Sequence, residues 1–529
     1  MTAPIVPGVH ARPAAPGSGA ANLYDALRTH FPPAAEIAVE AVDAPGGPLH
    51  YTWSDLEHGS ARIANLLADL GLAPGARVLV HADKSVEAVM LYLAVLRSRL
   101  VHVPLNAAYQ ASELATFIDN AQPDVVVCAP RNFPWVSRLA FAADVRTVLT
   151  LGDDRTGSLL ERAAQMHDRF EPPRGGLDDL AVIVYTSGTT GRSKGAQLTH
   201  GNLLANAEVL HGAWAWEERT DVLIHALPIF HVHGLFVALH GALRAGARML
   251  WFHRFDPLAV IARLPEATVF MGVPTLYVRL LAQARLTRDV CGPMRLFVSG
   301  SAPLLADTFE QWRERTGHTL LERYGMSETI MIASNPYRPE SGRHAGTVGH
   351  ALPGVHLRVR AEEGRDAAAG EIGGVQVRGP SVFAGYWRMP EKTAEEFTAD
   401  GWFRTGDVGT LDGDGVLTLV GRSKDLIISG GFNVYPAEIE GRINELPGVA
   451  ESAVVGAPHP DFGEAVVAYV VARDGAAPRP DDIQRALKAT IAGFKVPKAV
   501  RVVEALPRNA MGKVEKRRLR EEAATLFVR

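Results

Sequence analysis

A regular alternation of helical stretches with short apolar runs is the feature that most restricts the fold of this chain. Between residues 22 and 179, helical stretches such as Ser85 to Arg97 alternate with apolar runs such as Ala76 to His81 and Asp124 to Ala129. An apolar run joined to an amphipathic helix is typical of the βα unit. The pattern therefore predicts a parallel sheet covered by helices.

The alternation starts again at residue 180, and apolar runs up to residue 299 predict a second α/β layer. Short alternating strands from 347 to 420 predict a small β-rich unit, and the remaining residues suffice for a small domain. The sequence therefore predicts the α/β class: a large N-terminal body of two stacked α/β subdomains plus a small β-rich subdomain, then a small α+β C-terminal domain. We predict a flexible tail over 1–21, an N-terminal domain over 22–423 and a C-terminal domain over 424–529, with the boundary at Lys424.

The charge and apolar content of the chain exclude several classes of partner. Its 54 Lys and Arg residues are balanced by 58 Asp and Glu residues, so no basic field attracts nucleic acid. No apolar run approaches the roughly 20 residues needed to span a bilayer. Residues 1–20 lack the charged start and apolar core of a secretory signal. We therefore expect a cytoplasmic protein with no nucleic-acid partner and no membrane partner.

One loop concentrates hydroxyl groups, glycines and a lysine directly after an apolar run. It reads YTSGTTGRSKG and extends from Tyr185 to Gly195. Glycines allow the backbone to approach an anion closely, and hydroxyl and N–H groups donate to phosphate oxygens. The loop is not a Walker motif, because Gly191 is followed by Arg192-Ser193-Lys194 rather than by Lys and Ser or Thr. It therefore predicts a phosphate site outside the P-loop class.

Five further motifs follow this loop in a fixed order. They are YGMSET at 324–329, GYW at 385–387, WFRTGD at 402–407, GRSKD at 421–425 and PRNAMGK at 507–513. Together with the loop they resemble the signature motifs of the adenylate-forming superfamily, which contains acyl-CoA synthetases, firefly-type luciferases and peptide-synthetase adenylation domains. The resemblance implies a mobile C-terminal domain and a cleft that binds ATP with magnesium. It also implies coenzyme A as the second substrate.

The resemblance assigns most of the motif residues to the nucleotide. Residues that would hold the β- and γ-phosphates are Thr186, Ser187, Gly188, Thr189, Thr190 and Lys194. Tyr324 would stack on the adenine, and the turn that contains Ser299, Gly300, Ser301 and Ala302 would line the other side of the base. Further nucleotide-binding residues would be Gly325, Met326 and Ser327. Asp407 would accept from the ribose hydroxyls, Arg422 would donate to the ribose, and Glu328 would hold the magnesium ion.

The resemblance also implies two half-reactions in one site. Lys513 would bridge the substrate carboxylate and the α-phosphate, and Thr186, Lys194 and Glu328 would complete the catalytic set. Lys424 matches the hinge, where a few residues absorb a large backbone rotation. After rotation, a tunnel for coenzyme A would be lined by Ser429, Gly430 and Gly431.

The acid is indicated by three stretches that resemble malonyl-CoA synthetases: PIFHVHGLF from 228, GVPTLYVRLL from 272 and SGSAPLL from 299. A fatty-acyl tunnel would not accommodate a buried arginine without a partner. We therefore expect ATP-dependent ligation of malonate, with methylmalonate open, and Arg279 as the first candidate for the distal carboxylate. Arg323 is the second candidate, and His231 and Ser299 add hydrogen bonds.

Other functions stay open at this point. The chain could join another small carboxylic acid to coenzyme A, or be a stand-alone adenylation enzyme of the amino-acid type, or be a nucleotide sensor without activity. An amino-acid substrate calls for an Asp in the pocket, and none is evident. The sequence does not indicate the oligomeric state.

Overall fold

The protein is described here from a computed structural model that covers residues 22–44, 46–186, 193–361, 364–429, 432–509 and 512–527. The predicted tail at 1–21 lies outside these residues. In chain order the strands are β1 (Ile37–Ala41), β2 (Leu49–Thr52), β3 (Arg77–His81), β4 (Val101–Pro104), β5 (Val125–Cys128), β6 (Thr147–Thr150), β7 (Leu180–Thr186), β8 (Lys194–Thr199), β9 (Val222–His225), β10 (Arg248–Trp251), β11 (Val269–Gly272), β12 (Leu296–Ser299), β13 (Leu321–Met326), β14 (Ile330–Ser334), β15 (Thr347–Ala351), β16 (His356–Arg360), β17 (Gly373–Arg378), β18 (Gly385–Tyr386), β19 (Phe403–Leu411), β20 (Leu417–Arg422), β21 (Ile427–Ser429), β22 (Phe432–Val434), β23 (Val449–His459), β24 (Gly463–Ala472) and β25 (Ala499–Val503).

The α-helices cover the faces of the sheets. They are α1 (Leu23–Arg28), α2 (Trp53–Asp69), α3 (Val86–Arg97), α4 (Ala111–Ala121), α5 (Phe133–Ala142), α6 (Ser158–Ala163), α7 (His200–Ala213), α8 (His240–Ala245), α9 (Pro257–Arg263), α10 (Pro274–Leu281), α11 (Ala306–Thr316), α12 (Pro390–Glu396), α13 (Pro436–Asn444), α14 (Pro480–Lys488) and α15 (Lys516–Ala523). Single 3₁₀ turns occur at Pro130–Asn132, Leu264–Glu266, Glu340–Gly342 and Ser423–Asp425, and a π-helix occupies His233–Leu239. No helix among the described residues is long and apolar enough to cross a membrane.

The first sheet has the order β18-β8-β7-β4-β3-β5-β6. Strands β3 to β7 within it pair in parallel, as the βα pattern predicts, whereas β8 returns antiparallel to β7. Helix α3 is buried along its whole length, because Val, Leu and Ala surround its two charged residues, Glu87 and Arg97. Glu87 accepts from the Tyr51 hydroxyl at 2.6 Å, and Arg97 donates to Ser60 at 3.0 Å. Buried charges with such partners do not oppose the packing of an apolar helix.

The second sheet has the order β16-β17-β19-β20-β15-β14-β13-β12-β11-β9-β10-β1-β2. It departs from the prediction at both ends. Strand β1, assigned to the first layer by sequence, pairs in parallel with β10 through Val39 and Met249. The β-rich strands do not form a sheet of their own, because β14 pairs antiparallel with β13 and continues the parallel part. The α/β class with a large N-terminal body and a small C-terminal domain is confirmed.

The C-terminal strands form a third sheet, β22-β21-β24-β23, with β25 added to β24. The C-terminal part has a hydrophobic core of its own, which includes Ile439 of α13, Val454 of β23 and Val466 of β24. The last strand of the second sheet ends at Arg422, and the 3₁₀ turn Ser423–Asp425 leads to β21. An ion pair between Arg473 and Asp307 at 2.8 Å joins this part to α11 of the body. The cleft between the two parts contains the candidate site.

Candidate active site

The phosphate loop connects two paired strands. Strand β7 ends at Thr186 and β8 begins at Lys194, and these two residues face each other in the antiparallel register. The Thr186 hydroxyl donates to the Lys194 carbonyl at 3.5 Å. The hairpin therefore fixes both ends of the loop at one point. Four predicted phosphate ligands, Ser187, Gly188, Thr189 and Thr190, lie outside the described residues.

Glu328 is a buried carboxylate close to the base of this hairpin. One of its oxygens accepts from the Tyr386 hydroxyl at 2.9 Å, and burial raises the pKa of Glu328. The described residues contain no cluster of three or more His, Cys, Asp or Glu side chains that could hold a metal. Magnesium commonly uses one or two carboxylates together with phosphate oxygens and water. A buried carboxylate that Tyr386 links to Lys194 therefore fits a magnesium ion that arrives with a triphosphate.

Tyr324, Asp407 and Arg422 form one connected group. The Tyr324 hydroxyl donates to one oxygen of Asp407, and Arg422 Nε contacts the other oxygen at 2.7 Å. Asp407 and Arg422 are paired across β19 and β20, so the sheet register brings them together. Burial raises the pKa of Asp407, and the Arg422 charge opposes that rise. The structure thus joins three residues that sequence assigned separately to adenine and ribose.

Two residues in or next to the predicted nucleotide-binding motifs have a strained backbone. Ser301 has φ +72° and Ile330 has φ +56°, a region that side chains with a branched Cβ rarely enter. Gly300 comes directly before Ser301, and Gly325 lies five residues before Ile330. A Cβ on Gly325 would lie 1.8 Å from the Ile330 carbonyl oxygen, so this position requires glycine. Of the adjoining residues predicted to bind nucleotide, Ser299 is buried, and Ala302, Met326 and Ser327 are half-buried. Strained turns of this kind are typical of ligand sites.

Arg323 is the buried cation of the site. It is 4% exposed, burial lowers its pKa to about 9, and its Nε lacks a hydrogen-bond partner. Its Nη2 donates to Ser301 Oγ at 3.5 Å, and His233 Nδ1 lies 3.4 Å from the same oxygen. A Cβ on Gly300 would come within 2.5 Å of the guanidinium carbon, so only glycine leaves room for it. The guanidinium therefore keeps hydrogen-bonding capacity for a ligand.

His231 lies at the same end of the site. Its Nδ1 accepts from the His233 backbone N–H at 3.3 Å, as the HVH sequence closes a turn at the start of the π-helix. Burial lowers the pKa of His231 to about 3, and the charges of Lys513 and Arg323 add to that effect. His231 is therefore a neutral imidazole that can form single hydrogen bonds.

Arg279 does not line a buried pocket, and the expectation that it does so is wrong in this structure. Helix α10 turns Leu276, Tyr277 and Leu280 toward the core, which leaves Arg279 exposed to solvent. The position one helical turn after Thr275 is therefore on the outer side. The structure reverses the order of the two arginine candidates and brings Arg323 to the site.

Lys513 reaches the site from the C-terminal domain. Gly512 precedes it with φ +74°, and a Cβ there would lie 3.5 Å from Thr275 Oγ1 of the body. Burial of the ammonium in the cleft and the charges of Arg422 and Arg323 lower the pKa of Lys513 to about 8, although Asp407 and Glu328 oppose that change. The residue as a whole is exposed to solvent, and its ammonium lies near the cations and carboxylates of the cleft. Lys513 thus stands between the ribose group and the acyl end.

The hinge and tunnel candidates lie beyond the last strand of the body. Lys424 is exposed in the middle of the 3₁₀ turn Ser423–Asp425. Ser429 is buried at the end of β21, where it pairs with Gly463 of β24. The other two tunnel candidates, Gly430 and Gly431, lie outside the described residues.

Comparison with protein families finds two matches. Residues 32–387 match the family of AMP-binding enzymes, and residues 438–513 match the C-terminal domain of AMP-binding enzymes. The chain belongs to the AMP-binding enzyme family. The predicted membership of the adenylate-forming superfamily is therefore confirmed.

Several relatives of this AMP-binding enzyme act on carboxylic acids according to their names. The mitochondrial malonate–CoA ligase of Mus musculus is 36% identical over 512 residues, covering 89% of this chain and 86% of that protein. The feruloyl-CoA synthase of Amycolatopsis sp is 34% identical over 494 residues, covering 92% and 96%. The structure of ATP-bound MatB from Rhodopseudomonas palustris is 49% identical with a TM-score of 0.92, covering 96% of this chain and 99% of that one.

Sequence reasoning missed four side chains of this AMP-binding enzyme. Glu322, next to Arg323, is buried with a pKa raised to about 8 by its burial, and His233 contacts Ser301. Tyr386 and Glu396 contact Lys194 at 3.3 and 3.5 Å. The GYW motif drew attention to Tyr386, but the residue types of this motif did not indicate what Tyr386 does. The other three follow only from the folded arrangement.

A separate cavity of about 460 Å³ opens beside the acyl end of the AMP-binding enzyme. Pro228, Ile229 and Phe230, which lead to His231, form one wall. Arg131 and Arg254 lie among its other lining residues. Asp83, which pairs with Arg131, also lines the cavity, so its lining carries charges of both signs.

Proposed function

We propose that this chain ligates malonate to coenzyme A at the expense of ATP, through a malonyl-adenylate and with release of pyrophosphate and AMP. The observation that carries the choice of acid is the buried guanidinium of Arg323. In the part of the chain that the structure describes, no carboxylate forms an ion pair with it. A buried cation without a partner is costly, and an anionic substrate group would relieve that cost.

In the first half-reaction, a carboxylate oxygen of malonate attacks the α-phosphorus of ATP, and the bond to the pyrophosphate oxygen breaks. The Tyr324, Asp407 and Arg422 group holds the nucleoside, and Thr186, Lys194 and the loop from Ser187 to Thr190 hold the β- and γ-phosphates. Lys513 neutralises charge between the two anions as they approach. Glu328 would hold magnesium, which supplies further charge neutralisation when bound.

In the second half-reaction, the coenzyme A thiolate attacks the acyl carbon and AMP leaves. We assign Lys424 as the hinge about which the C-terminal domain turns, withdrawing Lys513 and presenting Ser429, Gly430 and Gly431. The cavity beside His231 offers coenzyme A an approach, and Arg254 in its lining suits a phosphate group.

The distal carboxylate of malonate lies, in this proposal, between Arg323, Ser299 and His231. A guanidinium presents a planar pair of donors to a carboxylate, and the Ser299 hydroxyl is buried without a partner. Gly300 keeps the space that the guanidinium occupies. An aromatic or fatty acid has no second carboxylate, so it would leave Arg323 buried and uncompensated.

The experiment measures pyrophosphate release with malonate, methylmalonate, acetate, ferulate and a fatty acid, with and without coenzyme A. Wild type is expected to prefer malonate. Arg323→Met, which keeps the volume but removes the charge, is expected to lower kcat/KM for malonate at least roughly a hundredfold, equivalent to about 3 kcal/mol. Acetate activity is expected to stay level, and the Tm to stay level or rise.

The matched control is Arg279→Ala, which removes an exposed guanidinium and is expected to change malonate kinetics less than about threefold. Equal losses for malonate and acetate in Arg323→Met would assign Arg323 to structure rather than to the acid. A wild type that prefers ferulate, acetate or a fatty acid would refute the malonate proposal. The cytoplasmic location and the lack of nucleic-acid or membrane partners stay predictions.

A further inference from the structure

The GYW motif supplies a residue that joins the two groups expected to meet the triphosphate. Tyr386 is 3% exposed. Its hydroxyl donates to Glu328 Oε1 at 2.9 Å and accepts from Lys194 Nζ at 3.3 Å. The same ammonium lies 4.4 Å from the centre of the Tyr386 ring. One tyrosine therefore sets the spacing between the carboxylate and the lysine.

The backbone around Tyr386 is tied to both partners. Strand β18 pairs with β8, with Tyr386 opposite Ala196, two residues after Lys194. The Trp387 N–H donates to the Gly195 carbonyl at 2.7 Å, and the Phe383 N–H donates to the Glu328 carbonyl at 2.8 Å. The segment from 383 to 387 thus crosses from the turn of Glu328 to the strand of Lys194. Movement of one partner would be transmitted to the other.

Glu396, at the end of α12, gives Lys194 a counter-charge. Its Oε1 lies 3.5 Å from Lys194 Nζ and 3.2 Å from Lys392 Nζ. Glu396 would therefore retain a cationic partner if Lys194 moved away. Lys194 can transfer to a phosphate without leaving Glu396 unpaired.

We propose that Tyr386 is a positioning residue that holds Glu328 and Lys194 at the separation required by a magnesium-bound triphosphate. Glu396 is the counter-ion that Lys194 leaves when the triphosphate binds. This inference rests on the proposed use of ATP and is independent of the identity of the acid. Tyr386 makes and breaks no bond in the reaction.

The test is nucleotide binding, measured by titration calorimetry on the full chain with AMP, with ATP plus EDTA, and with ATP plus magnesium. Tyr386→Phe removes only the hydroxyl. Since a hydrogen bond to a charged group is lost, the affinity for magnesium-ATP is expected to fall about tenfold or more. The affinity for AMP is expected to stay within about twofold, and the gain that magnesium gives to ATP binding is expected to shrink. An equal loss for AMP and magnesium-ATP would overturn the proposal, because it would indicate general damage to the site.

A second variant gives an effect of the opposite sign. Glu396→Gln removes the counter-ion, so the affinity for magnesium-ATP is expected to stay level or rise, with AMP binding unchanged. Weaker magnesium-ATP binding in Glu396→Gln would refute the exchange of partners by Lys194. Tyr469→Phe is the matched control, because it deletes another buried hydroxyl, which donates to the Leu519 carbonyl at 3.1 Å in the C-terminal domain. Because no acid is present in these titrations, a wrong choice of malonate would leave their outcome unaffected.

Discussion

Lys513 carries a charge that its surroundings make costly. Burial and the nearby Arg422 and Arg323 lower its pKa to about 8, so the cationic form dominates below that pH and is lost above it. Adenylation requires the cation, because a neutral amine cannot offset the approach of two anions. We therefore expect kcat/KM for pyrophosphate release to fall as pH rises through about 8. Lys513→Arg should move this decline to higher pH, since guanidinium stays protonated there.

Lys513→Ala provides the control for that assignment. Pyrophosphate release should be abolished, whereas thioester formation from supplied malonyl-adenylate should be largely retained, because the lysine is withdrawn in the second orientation. Equal loss in both half-reactions would show that Lys513 supports the fold of the cleft instead.

Individual nucleotide residues could be proposed from sequence because each lies in a compact motif of distinctive residue types. The acyl pocket was different, since the phase of a short helix decides which side chains face inward. In α10 the large side chains Tyr277 and Leu280 fill the core, and Arg279 is left outside. Arg323 lies in the buried part of β13, which is covered on both faces. The covering elements come from distant parts of the chain, so the residues next to Arg323 in sequence do not reveal what its side chain meets.

At the level of elements, the βα rhythm predicted α3, β3 and β5 to within one or two residues. The pairing of edge strands was not predictable in the same way. Strand β14 extends the parallel part of the second sheet, and β1 joins β10 more than two hundred positions away. An unpaired strand edge accepts any extended segment of suitable length, so the choice depends on the whole arrangement.

The turn from β20 to β21 is the element that we expect to limit turnover. Proline fixes φ near −65° and removes an N–H group, so Lys424→Pro should restrict the rotation of the C-terminal domain. We expect one half-reaction to persist and the complete cycle to slow at least about tenfold, as measured by separate assays of pyrophosphate release and thioester formation. Lys424→Ala is the control, because it removes the side chain but keeps the backbone freedom. Normal turnover by Lys424→Pro would place the hinge elsewhere.

At the level of the whole molecule, the ion pair between Asp307 and Arg473 connects the body to the C-terminal domain while Lys513 is in the cleft. Both side chains are about half exposed, so the pair contributes little and is weakened by salt. Asp307→Asn should therefore slow adenylation by roughly two- to threefold at low ionic strength and leave thioester formation from supplied adenylate level or faster.

The double variant Asp307→Asn with Arg473→Gln tests whether the effect of each single variant comes from loss of this ion pair. It should match the single variants, because both remove the same interaction. The difference from wild type should disappear in high salt. An effect that is independent of ionic strength would mean that Asp307 acts through α11 alone.

The close contact between Gly300 and Arg323 restricts how related enzymes could evolve specificity for a different carboxylic acid. Any side chain at position 300 would displace the guanidinium, and loss of the guanidinium alone would leave a gap lined by polar atoms. Each single change is therefore harmful to malonate ligation, whereas the two together can fill the space with apolar atoms and suit a different acid. Lineages that exchange a dicarboxylate for a bulkier monocarboxylate should show these two positions changing as a pair, with few surviving intermediates.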